Sequence, residues 1–303
     1  MKIIMVLFLS IAVALTGCAQ SNTTQAPADT TPIGGNNLLR IGTFNIQIFG
    51  STKASRPNTL TVLAKIASTY DVLAIEEVGS NGSSATEATC ISVMDTYVAR
   101  INQIVGSDTY TYIRGNQYAI VYRKAEFQLV DSGLYSGSQS FTYQPLTAYF
   151  RSTSGNFDFA MLCIQTSPSK AISEIPSLKT AMSEVSTQYS EPDVICLGDF
   201  NADGSYYTEG TGTDLSGFSS SSYITVIPNT ADTTVAASSN TYDRIELSSS
   251  MATDYTSAWG VIQVGQVYDV TQCEGTTTTT GTESAISDHY PVWAEFYTNK
   301  DTD

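Results

Sequence analysis

Short apolar runs alternate with polar, turn-rich stretches along most of the chain, and the period of each run predicts the element it forms. Leu39, Ile41 and Thr43 alternate with Arg40, Gly42 and Phe44. That period of two predicts a strand ending near Asn45. Asn58 follows Pro57 and precedes Leu60, Leu63 and Ala67 at helical spacing, which predicts a helix capped by Asn58 with one apolar stripe. Ile175, Leu178, Met182 and Val185 predict a second helix. Two segments rhyme: residues 71–77 read Asp-Val-Leu-Ala-Ile-Glu-Glu and residues 193–199 read Asp-Val-Ile-Cys-Leu-Gly-Asp. Each runs from an acid through four apolar residues to another carboxylate, as a strand buried on both faces does when it delivers charge at one end. Further strands are expected at 118–123, 127–132, 157–165, 242–247 and 291–297, with Ser, Thr and Gly-rich loops at 203–222 and 274–284. The pattern is that of one α/β domain dominated by sheet, from about 38 to 297, with a tail at 298–303.

The N-terminus changes the picture. Lys2 precedes an apolar run from Ile3 to Leu15, too short for a permanent membrane span and right for the apolar region of a signal peptide. Leu15-Thr16-Gly17-Cys18 resembles the lipobox of bacterial lipoproteins, so residues 1–18 are expected to direct export and Cys18 to carry a lipid that anchors the protein to a membrane outside the cytoplasm. A plain signal peptide would give a secreted protein instead. Residues 19–37 are polar and poor in apolar anchors, the composition of a flexible tether. Of the other cysteines, Cys163 and Cys196 lie in apolar runs that favour buried free thiols, while Cys90 and Cys273 lie in polar sequence. Export permits a disulfide without selecting a pair.

Composition then excludes whole classes of chemistry. Of 303 residues 42% are hydrophobic, enough for a well-filled core. Asp and Glu number 29 against 14 Lys and Arg, a formal charge of −15, which is the wrong sign for gripping phosphates by counterion release. A nucleic-acid partner would have to be held through a bound cation. The only histidine is His289, which rules out zinc sites needing two imidazoles and routes any imidazole acid-base chemistry through this residue. Nothing in the sequence points to oligomerisation, so a monomer is expected.

Carboxylates and amides just past strand ends are what a hard divalent cation and a phosphate require. Asn45, Glu77, Asp199, Asn201, Asp243, Asp288 and His289 occupy such places. Singly each is weak: a lone Glu at a strand end is usually a solvated terminus, and an Asp-His pair is usually a surface turn. In order, however, they fall within Thr43-Phe44-Asn45-Ile46, Ile75-Glu76-Glu77-Val78, Gly198-Asp199-Phe200-Asn201-Ala202, Tyr242-Asp243-Arg244-Ile245 and Ser287-Asp288-His289-Tyr290-Pro291-Val292. This series resembles the endonuclease/exonuclease/phosphatase superfamily across nearly all of residues 39–297, and Ala231-Asp232-Thr233-Thr234 and Ala285-Ile286 bring it nearest the deoxyribonuclease I branch. The resemblance implies a four-layer α/β/β/α sandwich of two mainly antiparallel sheets, with the site at its top. It implies Mg²⁺ or Mn²⁺ on Glu77 with Asp288, phosphate contacts from Asn45 and Asn201, a water or metal oriented by Asp199, and His289 held by Asp243 to take a proton from water. The implied substrate is DNA or another phosphodiester.

The same resemblance exposes departures. The deoxyribonuclease branch has a second histidine, oriented by a glutamate, where this chain has Gln165 and Asn116. Amides donate hydrogen bonds but cannot deliver a proton at neutral pH, and losing a general acid typically lowers rate by about 10² to 10⁴. The two amides read equally as an altered mechanism and as a polar pair closing the pocket floor. Two arginines of that branch are matched by Gly79 and Tyr143, while Arg114 stands at a groove-contacting tyrosine and is a candidate substrate contact. The apurinic-endonuclease branch lacks the same histidine and still cuts phosphodiesters, so activity is expected to survive. Asp232 and Thr234 match part of a structural Ca²⁺ site, but Ala236 replaces a hydroxyl neighbour and favours a plain turn. The cysteines of a long-range bridge in that branch are Gly204 and Asn240 here. The leading expectation is an exported, metal-dependent DNA endonuclease; a small-molecule phosphoesterase of the same fold and a catalytically weakened binding protein are the alternatives.

Overall fold

A computed structural model of the chain describes residues 37–79, 86–208, 210 and 214–303. The signal segment, Cys18 and the tether up to residue 36 lie outside the described residues. The strands are β1 (Leu38–Phe49), β2 (Val72–Val78), β3 (Tyr110–Gly115), β4 (Tyr118–Arg123), β5 (Phe127–Leu134), β6 (Leu146–Ser152), β7 (Asp158–Cys163), β8 (Val194–Asp199), β9 (Tyr223–Thr225), β10 (Asp243–Ser248), β11 (Tyr255–Val261) and β12 (Val292–Tyr297). The helices are α1 (Ser51–Ala54), α2 (Pro57–Ala67), α3 (Glu87–Val105), α4 (Ala171–Tyr189) and α5 (Val264–Val267).

Among the described residues the strands form two six-stranded sheets, ordered β11-β12-β1-β2-β4-β3 and β5-β6-β7-β8-β10-β9. Each sheet has one parallel pair at its centre, β1 with β2 and β7 with β8, and its other pairs are antiparallel. The apolar runs seen in sequence are continuous because these central strands are covered on both faces. In β8, Ile195 and Leu197 join the core shared with the first sheet, whereas Val194 and Cys196 join the core under α4. Ile175, Leu178, Met182 and Val185 complete that second core from the helix side; fully burying one such side chain stabilises by roughly 1.5–3 kcal/mol. On the far side α2 and α3 cover the first sheet, with the Tyr97 hydroxyl of α3 donating to Leu63 O of α2 at 3.0 Å. The layers run helices, sheet, sheet, helix, the four-layer sandwich expected from the resemblance.

Several local expectations are corrected. β1 continues past Asn45 to Phe49. Asn58 does not cap α2: Pro57 takes the first helical position, where its missing N–H costs nothing, and Arg56 precedes it without a side-chain cap. Glu274, distant in sequence, accepts the backbone N–H groups of Asn58 and Thr59, each at 3.1 Å, bringing a negative charge to the positive end of the helix. Cys90 and Cys273 are buried in the larger core despite their polar flanks, and all four described cysteines are free thiols. Residues after β12 are tied down: the Asn156 and Phe157 amides donate to Thr298 O, and the Asp158 amide donates to Asp301 Oδ2 at 3.2 Å.

Candidate active site

The parallel pairing of β1 with β2 brings their carboxyl ends together, and the facing sheet contributes the end of β8 and the start of β10. Asp199 and Asp243 sit directly opposite each other in the β8–β10 ladder. Asn45 Nδ2 bridges the two sheets, donating to Glu77 Oε1 at 3.2 Å and to Asp199 Oδ2 at 3.1 Å. His289 Nδ1 lies 2.9 Å from Asp243 Oδ2, and its Nε2 faces Asp199 Oδ2 at 3.8 Å and Asp288 Oδ1 at 3.9 Å. Asn201 is buried beside them, its amide donating to Thr166 O and its backbone N–H to Asp199 Oδ1, both at 2.9 Å. All seven residues singled out at strand ends therefore converge on one cleft.

Backbone bends aim these groups. Glu77 and Asn201 take left-handed conformations, with φ of 62° and 47°, and Ile48 has φ of 50°. For Asn this is mild, but for Glu and for a β-branched residue it stores on the order of 1–3 kcal/mol each. The turn at Ile48 points its N–H at Glu77 Oε2, 2.7 Å away, while the adjacent Gln47 amide donates to Asp288 Oδ2 at 2.7 Å. Consecutive residues thus hold the two carboxylates singled out for a metal. The 231–234 motif is a buttress: buried Thr233 accepts the Tyr242 and Asp243 amides on its hydroxyl, and its carbonyl accepts the Tyr290 amide at 2.7 Å. Asp232 Oδ1 accepts from the Thr234 and Asn240 amides.

Electrostatics follow from crowding anions around one imidazole. Burial works to lower the His289 pKa, but Asp243, Asp199 and Asp288 together hold it well above the ordinary histidine value. Asp199 is pushed up to about 6 by burial, against the pull of His289. Glu76, beneath the cleft, is pushed up to about 8 by burial and receives the Thr43 hydroxyl at 2.5 Å and the Cys163 thiol at 3.6 Å, linking the two sheets. Lys53, which the sequence did not single out, is buried and lowered to about 8 by desolvation, opposed by Asp288 and Glu77. It donates to the carbonyls of Ile46, Gln47 and Ile286, lacing β1 to the loop that carries His289.

Gln165 meets the carboxylates, whereas Asn116 lies apart from them in the lining of an adjoining cavity. Gln165 Nε2 donates to Glu77 Oε1 at 2.9 Å, and its Oε1 accepts from Gln117 Nε2 at 2.7 Å. Asn116 is exposed, at the tip of the β3–β4 hairpin with φ of 36°. The amide pair on the pocket floor is therefore Gln117 with Gln165, because the two-residue turn sends alternate side chains to opposite sides. Arg114 pairs with Glu87 in the wall of an adjoining cavity of about 940 Å³, lined also by Gln117, Tyr143 and Gln144. This cavity adjoins the site through Gln117, which donates to Gln165, the partner of Glu77.

Glu77 and Asp288 offer the carboxylate oxygens that a hard divalent cation takes, and Asp288 is exposed to solvent; in this structure those oxygens accept N–H groups of Asn45, Gln165, Ile48 and Gln47. Asp199, Asp243 and His289 also bring ligand atoms within 4.8 Å of one another. There, however, the ring nitrogen is committed to fully buried Asp243, which is the geometry of an oriented imidazole.

Residues 42–289 match the model of the Endonuclease/Exonuclease/phosphatase family. Deoxyribonuclease-1 of Rattus norvegicus is 30% identical over 265 residues, covering 84% of this chain and 90% of that protein. Among solved structures, the Bacteroides thetaiotaomicron mannosyl-6-phosphatase superposes with a TM-score of 0.56 at 16% identity, covering 85% of this chain and 99% of that one. D. rerio TDP2 with a single-strand DNA product superposes at 0.55 with 15% identity, covering 87% and 100%. At these identities the two structures establish a common fold.

Proposed function

Because the chain belongs to the endonuclease/exonuclease/phosphatase family and is a hydrolase of phosphodiester bonds, we propose that it is an exported endonuclease that cuts DNA with the help of a divalent cation. The observation that carries this reading is the chain of contacts from Asp243 through His289 to Asp199, Asn45 and Glu77. Glu77 and Asp288 would hold Mg²⁺ or Mn²⁺, which when bound supplies positive charge to phosphoryl oxygens as they gain negative charge. Asp243 fixes the His289 ring so that Nε2 faces the cleft; the cation on Glu77 and Asp288 would oppose the surrounding carboxylates that favour the charged ring, and in its neutral form the ring takes a proton from the attacking water. Asp199, 3.8 Å from that nitrogen, orients the water. The Asn45 and Asn201 amides position the phosphate from opposite sheets, and Gln165 keeps Glu77 in place while delivering no proton itself. The adjoining cavity with Arg114 takes the flanking part of the substrate.

The full chain is incubated with supercoiled plasmid and with a p-nitrophenyl phosphodiester, with Mg²⁺ or EDTA, alongside His289→Ala and Glu77→Gln. Metal-dependent nicking that drops by at least about 10²-fold in both variants supports the proposal; nicking that survives in His289→Ala contradicts it. A second reading, a small phosphoester as substrate, is favoured by Gly79 and Tyr143 at the two arginine positions, and turnover of the small ester alone would establish it. The signal segment supports export with a lipid on Cys18. Expressed in a bacterium, the chain should partition into detergent, and Cys18→Ser should move it to the aqueous phase; equal partitioning of both would exclude the anchor.

A further inference from the structure

At the end of the sandwich opposite the cleft, three buried carboxylates meet. Asp193 precedes β8, Asp254 precedes β11, and Asp301 follows β12. All three are at most 6% exposed, and each offers a carboxylate oxygen within 4.8 Å of the others. Glu191 and the exposed Asp303 join the same group through Asp193. The six residues of β8 put Asp193 roughly 20 Å from Asp199, so this cluster is separate from the candidate active site.

Its satisfaction is incomplete. Asp193 is 1% exposed, yet neither of its carboxylate oxygens makes a well-formed hydrogen bond, its near neighbours being the Ser250 hydroxyl and the Asp254 carboxyl. The Ser250 hydroxyl beside it donates instead to Pro192 O at 2.9 Å. Asp254 Oδ1 is likewise buried without a partner. The charged groups that act on Asp193 are Asp254, Asp303 and Asp301, all of its own sign. Burial pushes Asp193 up to about 8 and Glu191 up to about 7. Unpartnered buried oxygens among like charges are costly, and a bound cation or a shared proton would relieve that cost.

We propose that Asp193, Asp254 and Asp301 bind a hard divalent cation, Ca²⁺ by preference, that staples the two sheets and the C-terminal segment together. The donors are all oxygen, and they come from loop ends rather than from a rigid frame, which suits the flexible coordination of Ca²⁺ better than the strict octahedron of Mg²⁺. Asp193 belongs to the second sheet, while Asp254 and Asp301 flank strands of the first. Asp301 also accepts the Asp158 amide at the start of β7. The ion would tie these four chain segments at one point and remove the repulsion that opposes their packing.

The test is thermal unfolding of the full chain, stripped with EDTA and then given millimolar CaCl₂ or MgCl₂. Calcium should raise the Tm by roughly 5 °C or more, equally in Glu77→Gln/Asp288→Asn, and not in Asp254→Asn or Asp301→Asn. Loss of the response in Glu77→Gln/Asp288→Asn would assign it to the cleft and overturn the proposal, as would a response that persists in both cluster variants. Should those variants fail to fold, direct calcium binding to Glu77→Gln/Asp288→Asn decides. One ion per chain supports the site; none means that shared protons hold the carboxyls together, and the proposal fails.

Discussion

The resemblance read in the sequence places Gln165 where the deoxyribonuclease branch has a histidine, and its surroundings in the structure explain why an amide is useful there. Its Nε2 donates to Glu77 Oε1 at 2.9 Å and reaches Asp199 Oδ2 at 3.5 Å, while Gln117 fixes the other end of the amide at 2.7 Å. An amide so held cannot rotate, so its N–H stays directed at two carboxylates that would otherwise repel each other across the sheets. Removing a partner that orients a metal-binding carboxylate typically lowers affinity or activity by about 10- to 100-fold. Gln165→Ala should therefore raise the Mg²⁺ concentration for half-maximal activity by about that factor. Gln117→Ala should produce a smaller effect in the same direction, since the Gln165 amide would then be oriented by Glu77 alone. An unchanged metal dependence in Gln165→Ala would leave this residue as packing only.

At the scale of elements, Gly198 shows how a strand end is shaped for the site. Its φ is 139°, and a Cβ there would lie 1.8 Å from Ile164 O and 3.2 Å from Glu76 Oε1. β7 and β8 can approach this closely only without a side chain, and the next residue is Asp199. Gly198→Ala should destabilise the fold by about 2–4 kcal/mol in urea unfolding. At saturating metal and at a temperature where the variant remains folded, it should also reduce activity, because Asp199 would be displaced. A variant as stable as the parent would show that the strands can part without cost. The strand ends themselves were legible in sequence because each closes an apolar run with a carboxylate or amide. β2 and β8 follow their expected spans closely for the same reason, while α4 contains the expected stripe from Ile175 to Val185 and runs past it at both ends, from Ala171 to Tyr189. β3, β6 and β11 mix polar and aromatic residues without a clean period, and β9 has only three residues, so none of the four is marked in the sequence. α3 escaped despite a readable stripe: Cys90, Val93, Met94, Tyr97, Val98 and Ile101 are its buried face. Gln47, Ile48, Lys53 and Gln117 were not legible at all. What brings them to the site is a bulge after Asn45, a left-handed residue and a two-residue hairpin turn, none of which leaves a periodic trace.

For the molecule as a whole, the charge of −15 sets a condition on any encounter with DNA. A polyanionic substrate approaching an acidic protein is repelled over the Debye length, which is about 30 Å at 0.01 M salt and about 8 Å at 0.15 M. Basic nucleic-acid enzymes behave in the opposite way, losing affinity steeply as salt displaces their phosphate contacts. Here Arg114, the cation in the wall of the adjoining cavity, is already paired with Glu87, so little local positive charge offsets the long-range term. With Mg²⁺ held constant, kcat/KM on plasmid should therefore rise roughly threefold or more as NaCl increases from about 0.01 M to about 0.15 M. Turnover of a singly charged p-nitrophenyl diester should change far less, because its repulsion is small at every ionic strength. The initial rates of the two substrates across one salt series test this. A steep fall for plasmid would reveal a basic DNA-binding surface outside the cleft and its cavity. A parallel rise for both substrates would place the salt effect on the protein's own stability, since a compact chain of this charge is also strained by self-repulsion that salt relieves.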